Sequence, residues 1–172
     1  MVRQEVLLPD APEWVAQLIT DTGVRRIVEA HPFSRWLGEG GYKLVYASGD
    51  RAVALTEHAV QLKKEHNCLD RMRPFVPTVE ILDAFYGWNA AAAVMPLLNA
   101  IGGWEPILSD MKVIAKTLLD HDMEPQDLQV MLNNDGKPVL MDPFSIDPVI
   151  DHCIRFYAPG TWSMFREVLI LP

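Results

Sequence analysis

The stretch from Trp36 to Leu55 limits the fold most sharply. It reads WLGEGGYKLVYASGDRAVAL. Leu44 and Tyr46, then Ala52 and Ala54, alternate with other residues, the period-two rhythm of strands. Ser48-Gly49-Asp50 breaks that rhythm with turn formers. Two or three antiparallel strands joined by tight turns are therefore expected over 35–55.

Helical patterns lie on either side. Residues 10–20 read as a helix with Asp10 as its cap, Pro12 in the first turn and Glu13 completing a capping box. A second helix, 23–30, carries Val24, Ile27 and Val28 and ends at His31-Pro32, because a residue before proline avoids the α region. A third, 57–70, puts Ala59, Leu62, Glu65, Cys68 and Leu69 on one face, with Lys63, Lys64 and His66 elsewhere. Val76–Leu82 reads as an edge or bulged strand behind Pro74 and Pro77, residues 86–89 as a turn, and Ala91–Leu97 as a short buried strand. Residues 105–120 form a helix through Ile107, Met111, Ile114, Leu118 and Leu119. Val130–Leu132 and Val139–Met141 flank Asn133-Asn134-Asp135-Gly136, a strong hairpin signal. The tail reads as a short helix and irregular packing. The order is α+β, with an antiparallel sheet in the first half.

Charge narrows the partners. Lys and Arg number 15 against 23 Asp and Glu, giving −8. A chain this acidic binds polyanions poorly, so nucleic acid and anionic membrane are not expected. Lys63-Lys64 with Arg71 and Arg73 is the one basic candidate. Cys68 and Cys153 form no metal spacing, which fits reduced thiols in a cytoplasmic protein. The N-terminal MVRQEVLLPD has no signal-peptide pattern, and the apolar run Ala90–Leu98 is far below the ~20 residues of a membrane helix.

Three segments carry potential chemistry. Gly38-Glu39-Gly40-Gly41-Tyr42-Lys43 lies between two strands, where glycines let backbone N–H groups approach an anion; a plain glycine-rich hairpin turn is the alternative. His121-Asp122-Met123-Glu124-Pro125-Gln126-Asp127 follows the long helix and offers carboxylate oxygens to a hard cation, or simply caps the helix in solvent. Asp142, before Pro143-Phe144, emerges from an apolar strand, where a carboxylate needs a partner or a metal.

The order of these parts over 35–145 resembles the eukaryotic-type protein kinase fold in a minimal form. Within it, Asp122-Met123 and Asp142-Pro143 are similar to the catalytic-loop and metal motifs of the early protein kinases of lytic short-tailed phages. The resemblance implies one domain over 1–172: N-terminal helices 1–33, a sheet lobe 34–98 with one helix, and a reduced helical lobe 99–172. It implies ATP and Mg²⁺, with Gly38, Gly40 and Gly41 around the phosphates. The family's third-strand lysine is missing, because Ala54 stands there. Lys43 matches instead the second-strand lysine of the with-no-lysine kinases, whose loop also ends Gly-x-aromatic-Lys before Val-Tyr. Glu65 is then the glutamate that pairs the lysine.

The resemblance leaves the catalytic loop in two registers. By motif, the preferred register, Asp122 is the base and Asp127 joins Asp142 at the metal, with a two-residue insertion between the motifs. By spacing, which is about eighteen positions in the family, Glu124 is the base and Gln129 replaces the metal-binding Asn. Only 30 residues follow Asp142 (172 − 142), too few for the usual peptide-binding helices. Two functions follow. One is a Ser/Thr phosphotransferase acting on a host protein during phage takeover. The other is a degenerate pseudokinase that docks on a host factor and modulates it.

Overall fold

Alternation over 35–55 yields three strands. The computed structural model describes residues 8–103, 105–125 and 128–143. Strands β1 (Arg35–Glu39), β2 (Leu44–Ser48) and β3 (Arg51–Thr56) are joined by β4 (Asp83–Tyr86) and β5 (Ala91–Pro96). The sheet order is β1-β2-β3-β5-β4, with every pair antiparallel. Gly49 makes the β2–β3 turn at φ +58, a left-handed conformation that glycine adopts without a Cβ clash.

The two faces of the sheet differ. Leu44, Tyr46, Val53, Leu55, Ala92 and Val94 form one face. They bury against Val15 and Leu18 of α1 (Glu13–Leu18) and Val24, Ile27 and Val28 of α2 (Thr22–Ala30). Each large apolar side chain buried this way contributes roughly 1.5–3 kcal/mol. Phe33, Trp36 and Tyr46 cluster at its end, with ring centroids 4.9–6.1 Å apart. The Tyr46 hydroxyl donates to the His31 carbonyl at 2.9 Å. Burial pushes its pKa above the ordinary tyrosine value. Gly23 lets α2 approach this closely, since a Cβ there would stand 2.3 Å from the Phe85 ring. By register, the opposite face carries Val45, Ala47, Ala52, Ala54, Ala91, Ala93 and Met95.

Local expectations fail at two places. Asp10 does not cap α1. Pro12 holds the cap position with extended backbone and no side-chain hydrogen bond, so Asp10 lies two residues too early and sits in a turn at φ +56. Asp21 is the carboxylate that caps a helix, accepting from Gly23 N at 2.8 Å and Val24 N at 3.4 Å. The segment 76–82 is not a strand. It makes a single parallel bridge, in which Val79 N donates to Leu140 O and Leu140 N donates to Pro77 O. Pro77 has no N–H to extend the ladder. The strand comes later, at Asp83–Tyr86, and its turn runs from Gly87 to Ala90.

The chain divides into two compact units, 1–63 with 80–97, and 64–79 with 98–172. The division falls within α3 (Ala59–Met72). On α3 the expected apolar positions Ala59, Leu62, Glu65 and Leu69 are buried. His66, expected off that face, is buried too, while Cys68 is half-buried. The second unit contains a 3-10 turn (Glu105–Ile107), α4 (Leu108–Asp120) and the hairpin of β6 (Gln129–Leu132) and β7 (Pro138–Met141). Asn133 Oδ1 holds the hairpin turn by accepting from Asp135 N and Lys137 N, both at 2.9 Å. Asn99 exchanges two 2.8 Å backbone bonds with Leu132. The expected tail elements and Cys153 lie outside the described residues.

Candidate functional site

The glycine segment folds as a tight hairpin turn. Gly38 ends a bulged stretch of β1, and Gly40 N donates to Lys43 O at 2.8 Å. A Cβ at Gly38 or Gly41 would meet nothing within 4 Å. The turn thus exposes its main chain on an open surface, and Gly38, Gly40 and Gly41 are all exposed.

Lys43 closes this turn and is buried at 7% exposure. A lysine is seldom buried without a partner, and Lys43 is engaged in interactions. Its Nζ lies 5.4 Å from the centroid of the Tyr42 ring, within cation–π range. The backbone ahead of it is pinned. Thr56 Oγ1 donates to Tyr42 O at 2.5 Å and accepts from His58 N at 2.9 Å. This fully buried hydroxyl ties the glycine turn to the chain entering α3. The sequence reading missed it; the signal was a hydroxyl ending the buried run Ala52–Leu55. Ala54, paired with Val45 and Ala93, has no exposed surface. Strand alternation puts Lys43 on the side of Val45 and Ala54, two positions along that face from the Val45–Ala54 pair.

Unit two holds the remaining candidates. Glu65 is buried at 4% and engaged. Asp122 is exposed at φ +56. Its backbone has a clear structural cause: Asp122 N donates to Leu119 O, and Met123 N to Leu118 O. That pair of bonds is the Schellman motif, with Asp122 in the left-handed position that usually belongs to glycine. Met123 and Leu118 are both buried, as the motif's hydrophobic contact requires. His121 Nδ1 lies 2.8 Å from Thr117 O, and its ring lies 4.0 Å from that of Phe75.

Glu124 is buried at 8% and engaged. Asp127 lies outside the described residues. Gln129 opens β6 and pairs with Met141, the residue before Asp142. Asp142 is half-buried, engaged, and left-handed at φ +54. No helix end among the described residues explains that backbone, and the following Pro143 steers its neighbour toward extended conformations. A non-glycine residue held this way stores of order 1–3 kcal/mol, and such outliers concentrate at functional sites. Among the described residues no three His, Cys, Asp or Glu side chains form a group suited to a metal. No helix among them is long and apolar enough to cross a membrane.

No family model and no curated protein matches the chain. Solved structures do. The 2.2 Å crystal structure of WbdD matches with TM-score 0.58 at 15% identity, over 80% of this chain and 37% of that one. A co-crystal structure of WbdD and the kinase inhibitor LY294002 matches with TM-score 0.56 at 14% identity, over 82% and 38%. The chain therefore spans well under half of the WbdD chain. The likeness establishes the fold, α+β and kinase-like.

Proposed function

We propose that this chain binds Mg-ATP and transfers the γ-phosphoryl group to a Ser or Thr hydroxyl of a protein. The observation that carries this reading is Lys43, a buried ammonium at the end of an open glycine turn, on the face where Ala54 replaces the kinase lysine. The residues suit the ligand. Nothing stands over Gly38 or Gly41, so phosphate oxygens can approach main-chain N–H groups there. Lys43 would hold the phosphates. Asp142, and by the resemblance Asp127, would hold Mg²⁺, which when bound neutralises phosphate charge. The phage resemblance implies a host protein as acceptor.

The Asp122 main chain ends α4 while its side chain stays exposed, and Gln129 pairs with Met141, the residue before Asp142. The second observation favours the register with Glu124 as base and Gln129 in the place of the metal-binding Asn. Gln carries the same amide as that Asn on a side chain one methylene longer, so its oxygen would meet Mg²⁺ from a shifted position and turnover is expected to be slow. The same Gln129, with the fully buried Ala54, favours a second reading: a pseudokinase that acts by docking on a partner.

Radiolabelled γ-phosphate transfer from ATP to myelin basic protein tests the proposal on wild type, Lys43→Ala and Asp142→Asn. Asn tolerates the left-handed backbone that Asp142 adopts. Mg²⁺-dependent labelling lost in both variants supports the phosphotransferase. No labelling of the acceptor by wild type overturns the phosphotransferase and selects the second reading, whose docking needs no nucleotide.

A further inference from the structure

The first unit contains an open cleft of about 640 Å³ that the nucleotide reading does not use. Trp14 and Gln17 of α1, Asp21 at the cap of α2, Glu57 and His58 ahead of α3, and Trp88 of the β4–β5 turn line it. The volume lies within the range of roughly 300–1,000 Å³ found for ligand sites. Its chemistry is one-sided. No lysine or arginine lines it, while two carboxylates do. Asp21 spends Oδ1 on Gly23 N and Val24 N. Glu57 is exposed, with His58 Nε2 3.9 Å from its Oε1. Trp88 is 91% exposed. An indole face attracts cations, and neighbouring carboxylates supply charge-assisted acceptors. The net charge of −8 disfavours an anion.

We infer that this cleft docks a basic segment of a partner protein, with an Arg or Lys side chain laid on Trp88 and its charge met by Glu57. Aromatic walls and carboxylates complement such a side chain, and the cleft has room for the flanking peptide. The inference is independent of nucleotide binding, because every residue it uses lies outside the glycine turn and the acidic loop.

The test is fluorescence anisotropy on the full chain at physiological salt. The probes are fluorescein-labelled Gly-Arg-Gly-Arg-Gly, its glutamate counterpart, and maltose as a neutral competitor that stacks on indoles. Trp88→Ala and Glu57→Gln are the variants, both at exposed positions that the fold does not need. The arginine peptide is expected to bind, with Trp88→Ala weakening it roughly tenfold and Glu57→Gln roughly threefold. Equal affinity for wild type and Trp88→Ala would reduce the effect to diffuse attraction by an acidic surface and overturn the inference. So would no binding at millimolar peptide or equal binding of the glutamate peptide; displacement by maltose supports the inference, because both ligands would then share Trp88.

Discussion

The two faces of the five-stranded sheet are made from the same strands and do opposite things. One face carries Leu44, Tyr46, Val53, Leu55 and Val94 and closes on α1 and α2. The other carries alanines, with Lys43 buried at its edge. The first face is a core that hydrophobic burial explains without remainder. The second buries a charge, which costs free energy unless a partner or ligand compensates it. The first face is packed by apolar side chains; the second joins buried alanines to a buried, engaged ammonium, so charge enters the fold on that face alone.

Substitutions at the two faces should therefore separate. Leu55→Ala on the packed face is expected to cost about 2–5 kcal/mol, read by urea unfolding. Its nucleotide response should persist in whatever fraction stays folded. A loss under 1 kcal/mol would show that α1 and α2 contribute little to the core.

The acidic residues of the second unit sharpen the same distinction between scaffold and site. Asp142→Gly should relieve a left-handed backbone and raise stability by about 1 kcal/mol while abolishing any Mg²⁺-dependent nucleotide effect. A drop in stability would mean that the Asp142 carboxylate holds the fold together. Asp122→Gly should stabilise by about 0.5–1 kcal/mol with no effect on nucleotide, because its role is to end α4. Loss of activity in Asp122→Gly, with melting unchanged or raised, would restore Asp122 as the base.

The smallest effect belongs to Asp83 and Arg26, at the edge of the packed face. Arg26 donates to both carboxylate oxygens, at 2.7 and 3.1 Å. These hydrogen bonds hold the Asp83 pKa below the usual carboxylate value. A lowered folded pKa stabilises above the unfolded value of about 3.9, and that contribution is lost as pH falls through the folded value. Arg26→Met should lower stability slightly at neutral pH and leave it unchanged once pH falls below the folded pKa of Asp83, which flattens the acid limb; the loss is small because both groups are partly solvated.

Much of this architecture is legible in the sequence. Turn chemistry at Gly49 and Gly136 announced both hairpins, and helical spacing announced α3 and α4. What was hidden had physical reasons. The four-residue strand Asp83–Tyr86 lacks an alternating pattern because it lies at a sheet edge and is half-buried throughout. Prolines 74 and 77 made a connecting segment look like an edge strand. Asp10 and Glu13 had the spacing of a capping box, but Pro12 set the helix start. At the site, motif and spacing pointed to Lys43, Asp122, Glu124 and Asp142. The sequence did not show that Asp122 completes a helix-ending motif, which depends on bonds back to Leu118 and Leu119. Nor did it show the Thr56 clamp, which joins residues distant in sequence.

Lys43 carries the central claim, and a thermal-shift titration with ATP, with and without Mg²⁺, tests it most directly on wild type and Lys43→Ala. A ligand that binds only the folded state raises the melting temperature by mass action. For a chain of this size each kcal/mol gained moves it by roughly 2–4 °C. The account predicts a Mg²⁺-dependent rise of several degrees in wild type that is absent in Lys43→Ala, whatever the baseline melting point of the variant. An equal rise in both proteins, or none at millimolar ATP in wild type, would contradict it.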